Sequence, residues 1–345
     1  MPLVQPPGAL RQRTLSTLLR RYGAGEPLSC EPVAQGLLNR GYRISTTRGR
    51  FFLKHHLDGD PVTIGHQHRA TARLGAVGVP VVPPVPDPEG HTVAVVGGRC
   101  YALHPWVEGR HRDGGQLTRA QSRRLGALLG LVHVRLEQVI LASPNEDAVP
   151  SHTSADPAHT HLLIDGLLSR IRARRSPDSF DVLAEHRLLE RRALLREHAH
   201  RRPAEGTEPV AGWVHGDFHP FNLLYRTEAP FEPVAIVDWD RLGVQPRAEE
   251  AVRAAAIFFV QPDGTLELSK VRSYARAYRR AAGADAEELA AAVHRVWWER
   301  LNDFWMLRWR YQRGDRRADS QFPAAAALIV WWTREYGVVR DAFCT

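Results

Sequence analysis

The chain has 345 residues, enough for two lobes with separate cores or for one large domain. Its 43% hydrophobic and 24% charged residues are ordinary for a globular protein and exclude a disordered or fibrous chain. The net charge of +8 comes from arginines dispersed over the whole length, so no nucleic-acid partner is predicted.

The N-terminal segment and the cysteines favour a cytoplasmic protein. Residues 1–23 lack the uninterrupted apolar core of a secretory signal. The longest apolar run, near Phe322 to Trp332, is too short to cross a bilayer, so no membrane partner is expected. The three cysteines are widely spaced and form no metal-binding pattern, which predicts reduced thiols.

Strand patterns dominate the first hundred residues. Turn-separated runs of β-branched and aromatic residues predict strands at 28–34, 42–46, 51–56, 92–96 and 99–104. The last two are joined by Gly97-Gly98 as a tight hairpin. A helix is predicted over 63–75, ending near a glycine.

Lys54 stands out within the third predicted strand. Of the 46 basic residues, only Lys54 and Lys270 are lysine. In a chain that otherwise uses arginine, a lysine in a strand expected to be buried indicates a chemical role.

After Trp106 the pattern becomes helical. Apolar residues recur at helical spacing over 117–140, and further helices are predicted within 161–201 and from Ala248 onward. Residues 142–159 are rich in Pro, Ser, Asp and Thr and predict a loop. A strand-rich stretch, 212–238, interrupts the helices.

This order of elements predicts an α+β fold with two lobes. The N-terminal lobe, residues 1–104, is expected to be a small antiparallel sheet with one helix. The C-terminal lobe, residues 105–345, is expected to be larger and mostly helical. A nucleotide would bind between lobes of this kind, although layout alone does not fix function.

The strongest local signal is a pair of motifs. His215-Gly216-Asp217-Phe218-His219 is followed by Asn222, and an apolar strand beginning at Val234 ends in Asp238-Trp239-Asp240. Phosphoryl transfer needs a base, metal ligands and cations on the phosphates. Two carboxylates and one amide supply the hard oxygen ligands that Mg²⁺ prefers.

The motif pair resembles the HGDxHxxN…(I/V)DW(D/E) pattern of the aminoglycoside phosphotransferase and choline kinase superfamily. The resemblance covers roughly residues 33–259. It implies a protein-kinase-like, two-lobed fold and an enzyme that moves the γ-phosphoryl group of ATP, or of GTP, to a hydroxyl of a small molecule. Mg²⁺ is the implied metal cofactor.

The resemblance also implies roles for individual residues. Asp217 would orient the acceptor hydroxyl and accept its proton, and His215 would be a scaffold between this loop and the strand that carries Asp238. Asn222 and Asp238 would hold Mg²⁺ against the phosphates. Lys54 would contact the α- and β-phosphates.

Further nucleotide contacts are implied in the first lobe. The stretch Leu103-His104-Pro105-Trp106 resembles the hinge, where backbone groups of Leu103, His104 and Trp106 would meet the base. The turn Gln35 to Arg40 resembles the loop that covers the phosphates.

Three positions depart from the family pattern. Gln67 stands where a glutamate usually pairs with the strand lysine, and it can accept a hydrogen bond from Lys54 without the opposite charge. Phe221 replaces the usual glycine before the catalytic-loop asparagine and should narrow the space beside the acceptor. The acidic residue expected on the following helix is either Glu249 or Glu250.

Several assignments stay open at this level. His219 either touches substrate or packs, with packing favoured, while Asp240 either assists metal binding or caps a turn. Aromatic residues cluster between Trp297 and Tyr311, and on one helix Trp298, Trp305 and Trp309 would share a face. Core packing explains most of this cluster, and one or two rings are left to stack on a sugar, a nucleoside or an alkylammonium group.

The acceptor is not identified by the sequence. From Gln261 to Thr345 there are 14 basic and 11 acidic residues, which does not favour a polycationic acceptor. Glu299, Asp303, Asp315 and Asp319 are the candidate acids of such a pocket. The alternative function is a regulatory, nucleotide-binding pseudokinase, for which Gln67 is the support. The oligomeric state is left open.

Overall fold

Strands precede helices along the chain in this computed structural model, which describes residues 10–33, 39–140, 153–204 and 209–345. The strands are β1 (Pro27–Val33), β2 (Arg40–Thr46), β3 (Gly49–His56), β4 (Ala94–Val96), β5 (Arg99–Pro105), β6 (Ala211–Val214), β7 (Leu223–Tyr225), β8 (Pro233–Ile236) and β9 (Gly243–Pro246). The helices are α1 (Gln12–Arg21), α2 (Pro61–Ala76), α3 (Arg119–Val139), α4 (Pro157–Arg172), α5 (Ser179–His198), α6 (Arg247–Phe258), α7 (Leu268–Ala282), α8 (Ala286–Asn302), α9 (Trp305–Arg308), α10 (Phe322–Arg334) and α11 (Tyr336–Cys344).

The chain divides into two compact units. The first contains Met1–His111, Gln138–Ile140 and Phe221–Leu242. The second contains Arg112–Glu137, Leu141–Pro220 and Gly243–Thr345. The first unit therefore includes two later segments that lie outside the predicted lobe 1–104.

The first unit is built on a five-stranded antiparallel sheet with the order β1-β2-β3-β5-β4. Strand β3 is central, and its Lys54 lies opposite Ala102 of β5. The lysine side chain projects from the face of the sheet and is only 10% exposed, with its amine against Asp238 and Asp240.

Two helices belong to this unit. Helix α1 buries Leu15, Leu18 and Leu19 in a core shared with Ile44 and Leu53 of the sheet. Helix α2 begins after Asp60, whose carboxylate accepts the N–H groups of the first turn as an N-cap. Helix α2 was predicted from the sequence, whereas no element was predicted over residues 12–21.

The second unit is mostly helical. Its β6 and β9 form a two-stranded antiparallel sheet, and the largest side chains of its core are tryptophans. Trp297, Trp298 and Trp332 are almost completely buried. Among the described residues, no helix combines the length and the apolar character needed to cross a bilayer.

The aromatic cluster differs from the prediction of a single shared helical face. Helix α8 ends at Asn302, and Asp303 is extended, so Trp298 does not share a helix with Trp305 and Trp309. Trp297, Trp298 and Phe304 are core residues, as the favoured interpretation predicts. Trp305 and Trp309 are half-buried and pack edge to face at 5.3 Å.

Two predicted loops fall wholly or partly outside the described residues. Residues 34–38 cover most of the turn proposed to lie over the phosphates, and residues 141–152 cover most of the loop predicted at 142–159. Asn39 and Arg40 are the part of the first turn that the structure describes.

Candidate active site

Lys54 lies between two carboxylates of the first unit. Its Nζ donates to Oδ1 of Asp238 at 2.6 Å and to Oδ1 of Asp240 at 2.7 Å. The lysine side chain is 10% exposed, whereas the side chains of Asp238 and Asp240 are 42% and 29% exposed. The amine is therefore enclosed while both acids keep an open side.

Strand pairing places Asn222 next to Asp238. Leu223 of β7 pairs with Ile236 of β8, so the residue before β7 meets the residues after β8. The backbone N–H of Val237 donates to the carbonyl of Asn222 at 2.9 Å. Asp238 then adopts a φ of +62°, a left-handed conformation that aspartate tolerates better than most residues.

Burial and close charges shift the pKa values of the residues in this cluster. Burial alone would lower the pKa of Lys54, but the two carboxylates outweigh it and the pKa is raised. Burial raises the pKa of Asp240, and Asp238 raises it further, against the opposing effect of the lysine. His56 contributes no charge near neutral pH, because burial and Lys54 lower its pKa to about 3.

The donor chemistry of the cluster fits the predicted metal. Two carboxylates share one ammonium group, and their oxygens remain partly exposed. Hard oxygen donors of this kind suit Mg²⁺. Asp238 and Asn222, the predicted ligands, both belong to this part of the first unit.

Gln67 behaves differently from the expectation. Its Nε2 donates to the backbone carbonyl of Asp240 at 2.7 Å. Among the described residues, Lys54 donates to the two carboxylates, and no hydrogen bond from Lys54 to Gln67 is found. Charge-assisted bonds to carboxylates are stronger than a bond to a neutral amide.

The predicted hinge residues lie on β5 and just after it. Leu103 is fully buried, and its carbonyl accepts a backbone N–H at 2.7 Å. His104 Nδ1 lies 3.1 Å from the carbonyl of Val82, and burial lowers the pKa of this histidine to about 4. The N–H of Trp106 donates to the carbonyl of Arg50 at 3.0 Å. Contact with a nucleotide base stays a prediction for these residues.

Asp217 lies in the loop after β6, in the second unit. Gly216 precedes it with a φ of +82°, a conformation that disfavours any side chain. His215 is completely buried, and its Nδ1 accepts the N–H of Asp217 at 3.2 Å. His219 Nε2 lies 3.5 Å from Oδ2 of Asp217, so this ring lies beside the proposed catalytic carboxylate.

Glu250 of α6 fixes the start of this loop. Its carboxylate accepts the N–H of His215 at 3.2 Å and that of Gly216 at 2.5 Å. His133 Nε2 lies 2.7 Å from the same carboxylate. Of the two acids left open by the sequence, Glu250 therefore makes the loop contacts, whereas Glu249 lies 3.5 Å from Arg253.

The structure thus forms two clusters of predicted residues. Lys54 and Asp238 meet in the first unit, and His215 and Asp217 lie together in the second. Asn39 and His133 were not identified from the sequence, because a single asparagine in a turn or a single histidine in a helix carries no local signal. The second motif ends in Asp238-Trp239-Asp240, so the sequence did indicate Asp240 but did not determine its role.

Comparison with known families gives a match over most of the chain. The model of the family described as "Phosphotransferase enzyme family" matches residues 29–291. A homoserine kinase from Caulobacter sp. (strain K31) is 22% identical over 267 residues, which are 77% of this chain and 76% of that protein.

Solved structures are similar in fold. A spectinomycin phosphotransferase in complex with ADP and spectinomycin superimposes with a TM-score of 0.68 at 15% identity, covering 96% of this chain and 100% of that one. An amicoumacin kinase in complex with AMP-PNP and Ca²⁺ gives 0.60 at 18% identity, covering 96% and 94%. The family match confirms the predicted superfamily, and the solved structures confirm the α+β, protein-kinase-like fold.

Proposed function

Since the chain belongs to the phosphotransferase enzyme family, we propose that it moves the γ-phosphoryl group of ATP, or of GTP, onto a hydroxyl of a small molecule with the help of Mg²⁺. The enzyme is a small-molecule kinase with an alcohol group as acceptor. One observation carries the proposal: Lys54 of the central strand donates to Asp238 at the end of β8. An enclosed cation beside open carboxylates is what a nucleotide and its metal ion require.

The nucleotide would be held by the first unit. Lys54 stays protonated because its pKa is raised, and it supplies positive charge to the α- and β-phosphates. Mg²⁺, held by Asn222 and Asp238, would neutralise the charge that develops on the transferred group. The backbone at Leu103, His104 and Trp106 is proposed to contact the base.

The acceptor hydroxyl would be activated by the second unit. Asp217 is proposed to orient this hydroxyl and to accept its proton, a role worth about 10² to 10⁴ in rate for a positioned base. The buried His215 and the hydrogen bonds from Gly216 to Glu250 keep the loop rigid. His219 lies beside the Asp217 carboxylate, where it can orient that group.

A small acceptor with at most one positive charge is favoured over a polycation. Three of the four candidate acids of the C-terminal helices are already paired: Glu299 with Arg253, Asp315 with Arg317, and Asp319 with Arg310. Acids paired in this way offer little surplus charge to an aminoglycoside. The homoserine kinase relative supports an amino-alcohol or homoserine-like acceptor. A cytoplasmic location is part of the same proposal.

Replacing the proposed base tests the reaction. Asp217→Asn should abolish phosphoryl transfer while ATP still binds, because the amide keeps the shape of the side chain but accepts no proton. Transfer is measured as ADP release with homoserine, choline and spectinomycin as acceptors. Binding of ATP with Mg²⁺ is measured by calorimetry on the same preparations.

The control is Asp341→Asn, which makes the same change at an exposed ion pair with Arg340. It should leave transfer and binding unchanged. Near-normal transfer by the Asp217 variant would remove Asp217 from the mechanism. ATP binding without transfer to any acceptor by the wild-type protein would favour the regulatory pseudokinase instead.

A further inference from the structure

Asp240 contacts four residues of the first unit, including Lys54. Its Oδ1 accepts from Lys54 on β3, and its Oδ2 accepts from Nδ2 of Asn39 at 2.5 Å. The ring of His56 lies 3.8 Å from Oδ2. The backbone carbonyl of the same residue accepts from Gln67 of α2. One strand, the turn before β2 and one helix therefore determine where Asp240 lies.

The contact from α2 is the unexpected one. The family pattern has a glutamate at position 67, where it pairs directly with the strand lysine. Here the amide of Gln67 reaches the main chain of Asp240, and the side chain of Asp240 reaches Lys54. Helix α2 is therefore still connected to Lys54, but the connection runs through Asp240.

We propose that Asp240 takes the place of the missing helix glutamate as the second anion beside Lys54, and that Gln67 is the positioning residue that holds Asp240 there. The inference rests on the proposed function, because a bound nucleotide gives the lysine its role. Gln67 itself touches neither the lysine nor, in this proposal, the substrate.

The arrangement explains why a glutamine suits position 67. The carbonyl oxygen of Asp240 accepts a hydrogen bond from the amide of Gln67, and an ionised glutamate has no donor to offer it. A glutamate there would face the carbonyl of Asp240 with an acceptor and would add a third carboxylate to a cluster whose single ammonium is already shared by two. Restoring the family's residue should therefore harm this protein.

Two substitutions at position 67 test the inference. Gln67→Leu removes the donor at similar size and should weaken binding of ATP with Mg²⁺ about fivefold, the value of one lost hydrogen bond. Gln67→Glu should weaken it about tenfold or more, because an unsatisfied acceptor and a like charge are both added. Binding is measured by calorimetry, and the urea midpoint is measured in parallel.

Gln12→Glu is the matched control, since it makes the same change on the exposed first turn of α1. It should leave ATP binding unchanged. Tighter or unchanged binding by Gln67→Glu would overturn the inference, because a direct pair with Lys54 would then be available. A lower urea midpoint of Gln67→Leu with normal ATP binding would reduce Gln67 to a purely structural residue and would also overturn it.

A double substitution separates positioning from packing. Asp240→Asn should itself weaken ATP binding, and adding Gln67→Leu to it should cost less than about twofold, because coupled residues are not additive. A full fivefold loss in the double variant would show that Gln67 does not act through Asp240.

Failure of the inference and failure of the proposed function give different results. If the position-67 variants behave as expected while Asp217→Asn transfers phosphate normally, Gln67 keeps its positioning role and Asp217 is not the catalytic base. If the wild-type protein binds no nucleotide, both fall together.

Discussion

Two carboxylates, the buried Glu250 of the second unit and the half-buried Asp240 of the first, have pKa values that are shifted in opposite directions. Burial would raise the pKa of Glu250, but the hydrogen bond from His133 and the N–H of Gly216 outweigh it, and the pKa is lowered. The pKa of Asp240 is raised by burial, and Lys54 does not outweigh that because Asp238 competes for the same ammonium. The first acid is held by hydrogen bonds inside the second unit, whereas the second is partly exposed and shares the ammonium group of Lys54 with Asp238.

The largest expected effect comes from removing the charge of Glu250. Glu250→Gln should lower the free energy of unfolding by about 3 to 5 kcal/mol, because it removes a buried charge and replaces one of the two acceptor oxygens with an NH2 group that faces a donor. Urea unfolding at pH 7 measures it. Glu249→Gln makes the same change one position earlier on the helix and should not lower the free energy of unfolding at pH 7, because burial already disfavours the charge of Glu249. If Glu250→Gln lowers the free energy of unfolding by less than about 1 kcal/mol, Glu250 stabilises the fold no more than an average residue does, and the prediction is wrong.

The control residue carries its own prediction. Burial raises the pKa of Glu249 from 4.5 to about 7. In the unfolded chain this carboxyl group ionises above pH 4.5, and in the folded chain it ionises only near pH 7. The stability that Glu249 contributes is therefore present below pH 4.5 and is lost between pH 4.5 and 7. Relative to wild type, the free energy of unfolding of Glu249→Gln should therefore rise by about 2.5 kcal/mol between pH 5 and pH 8. Urea midpoints at pH 5, 6, 7 and 8 measure it, and a constant difference would contradict the raised pKa.

Asp240 should behave in the opposite way to Glu250. Asp240→Asn removes a charge that the fold already disfavours, so the free energy of unfolding should change by about 1 kcal/mol or less in the absence of Mg²⁺. Its effect should appear in ATP binding instead. A destabilisation as large as that of Glu250→Gln would erase the distinction between the two acids.

The smallest expected effect is that of the metal ion alone. Mg²⁺ at several times its dissociation constant should stabilise the wild-type protein by about 1 kcal/mol, because it binds the folded cluster and not the unfolded chain. The rise in Tm should be smaller in Asp240→Asn, which removes one of the two carboxylates. An equal rise in both proteins would mean that Mg²⁺ binds elsewhere.

The sequence indicated the elements of this protein better than their contacts. The strand and helix patterns located β2, β3, β5, α2 and α3 to within a few residues, because alternation and helical spacing are local properties. Helix α1 was missed although Leu15, Leu18 and Leu19 have helical spacing. The end of α8 at Asn302 was also missed, because no proline or glycine marks it.

The motifs determined the family, since residue types at fixed spacing are enough to specify phosphotransferase chemistry. They could not determine which acid pairs with which base. That Glu250 rather than Glu249 holds the loop, and that Gln67 reaches Asp240 rather than Lys54, depends on the direction in which each side chain leaves its helix. Tertiary structure alone decided these partners, because side-chain direction and the sharing of one ammonium by two carboxylates arise only when distant segments pack together.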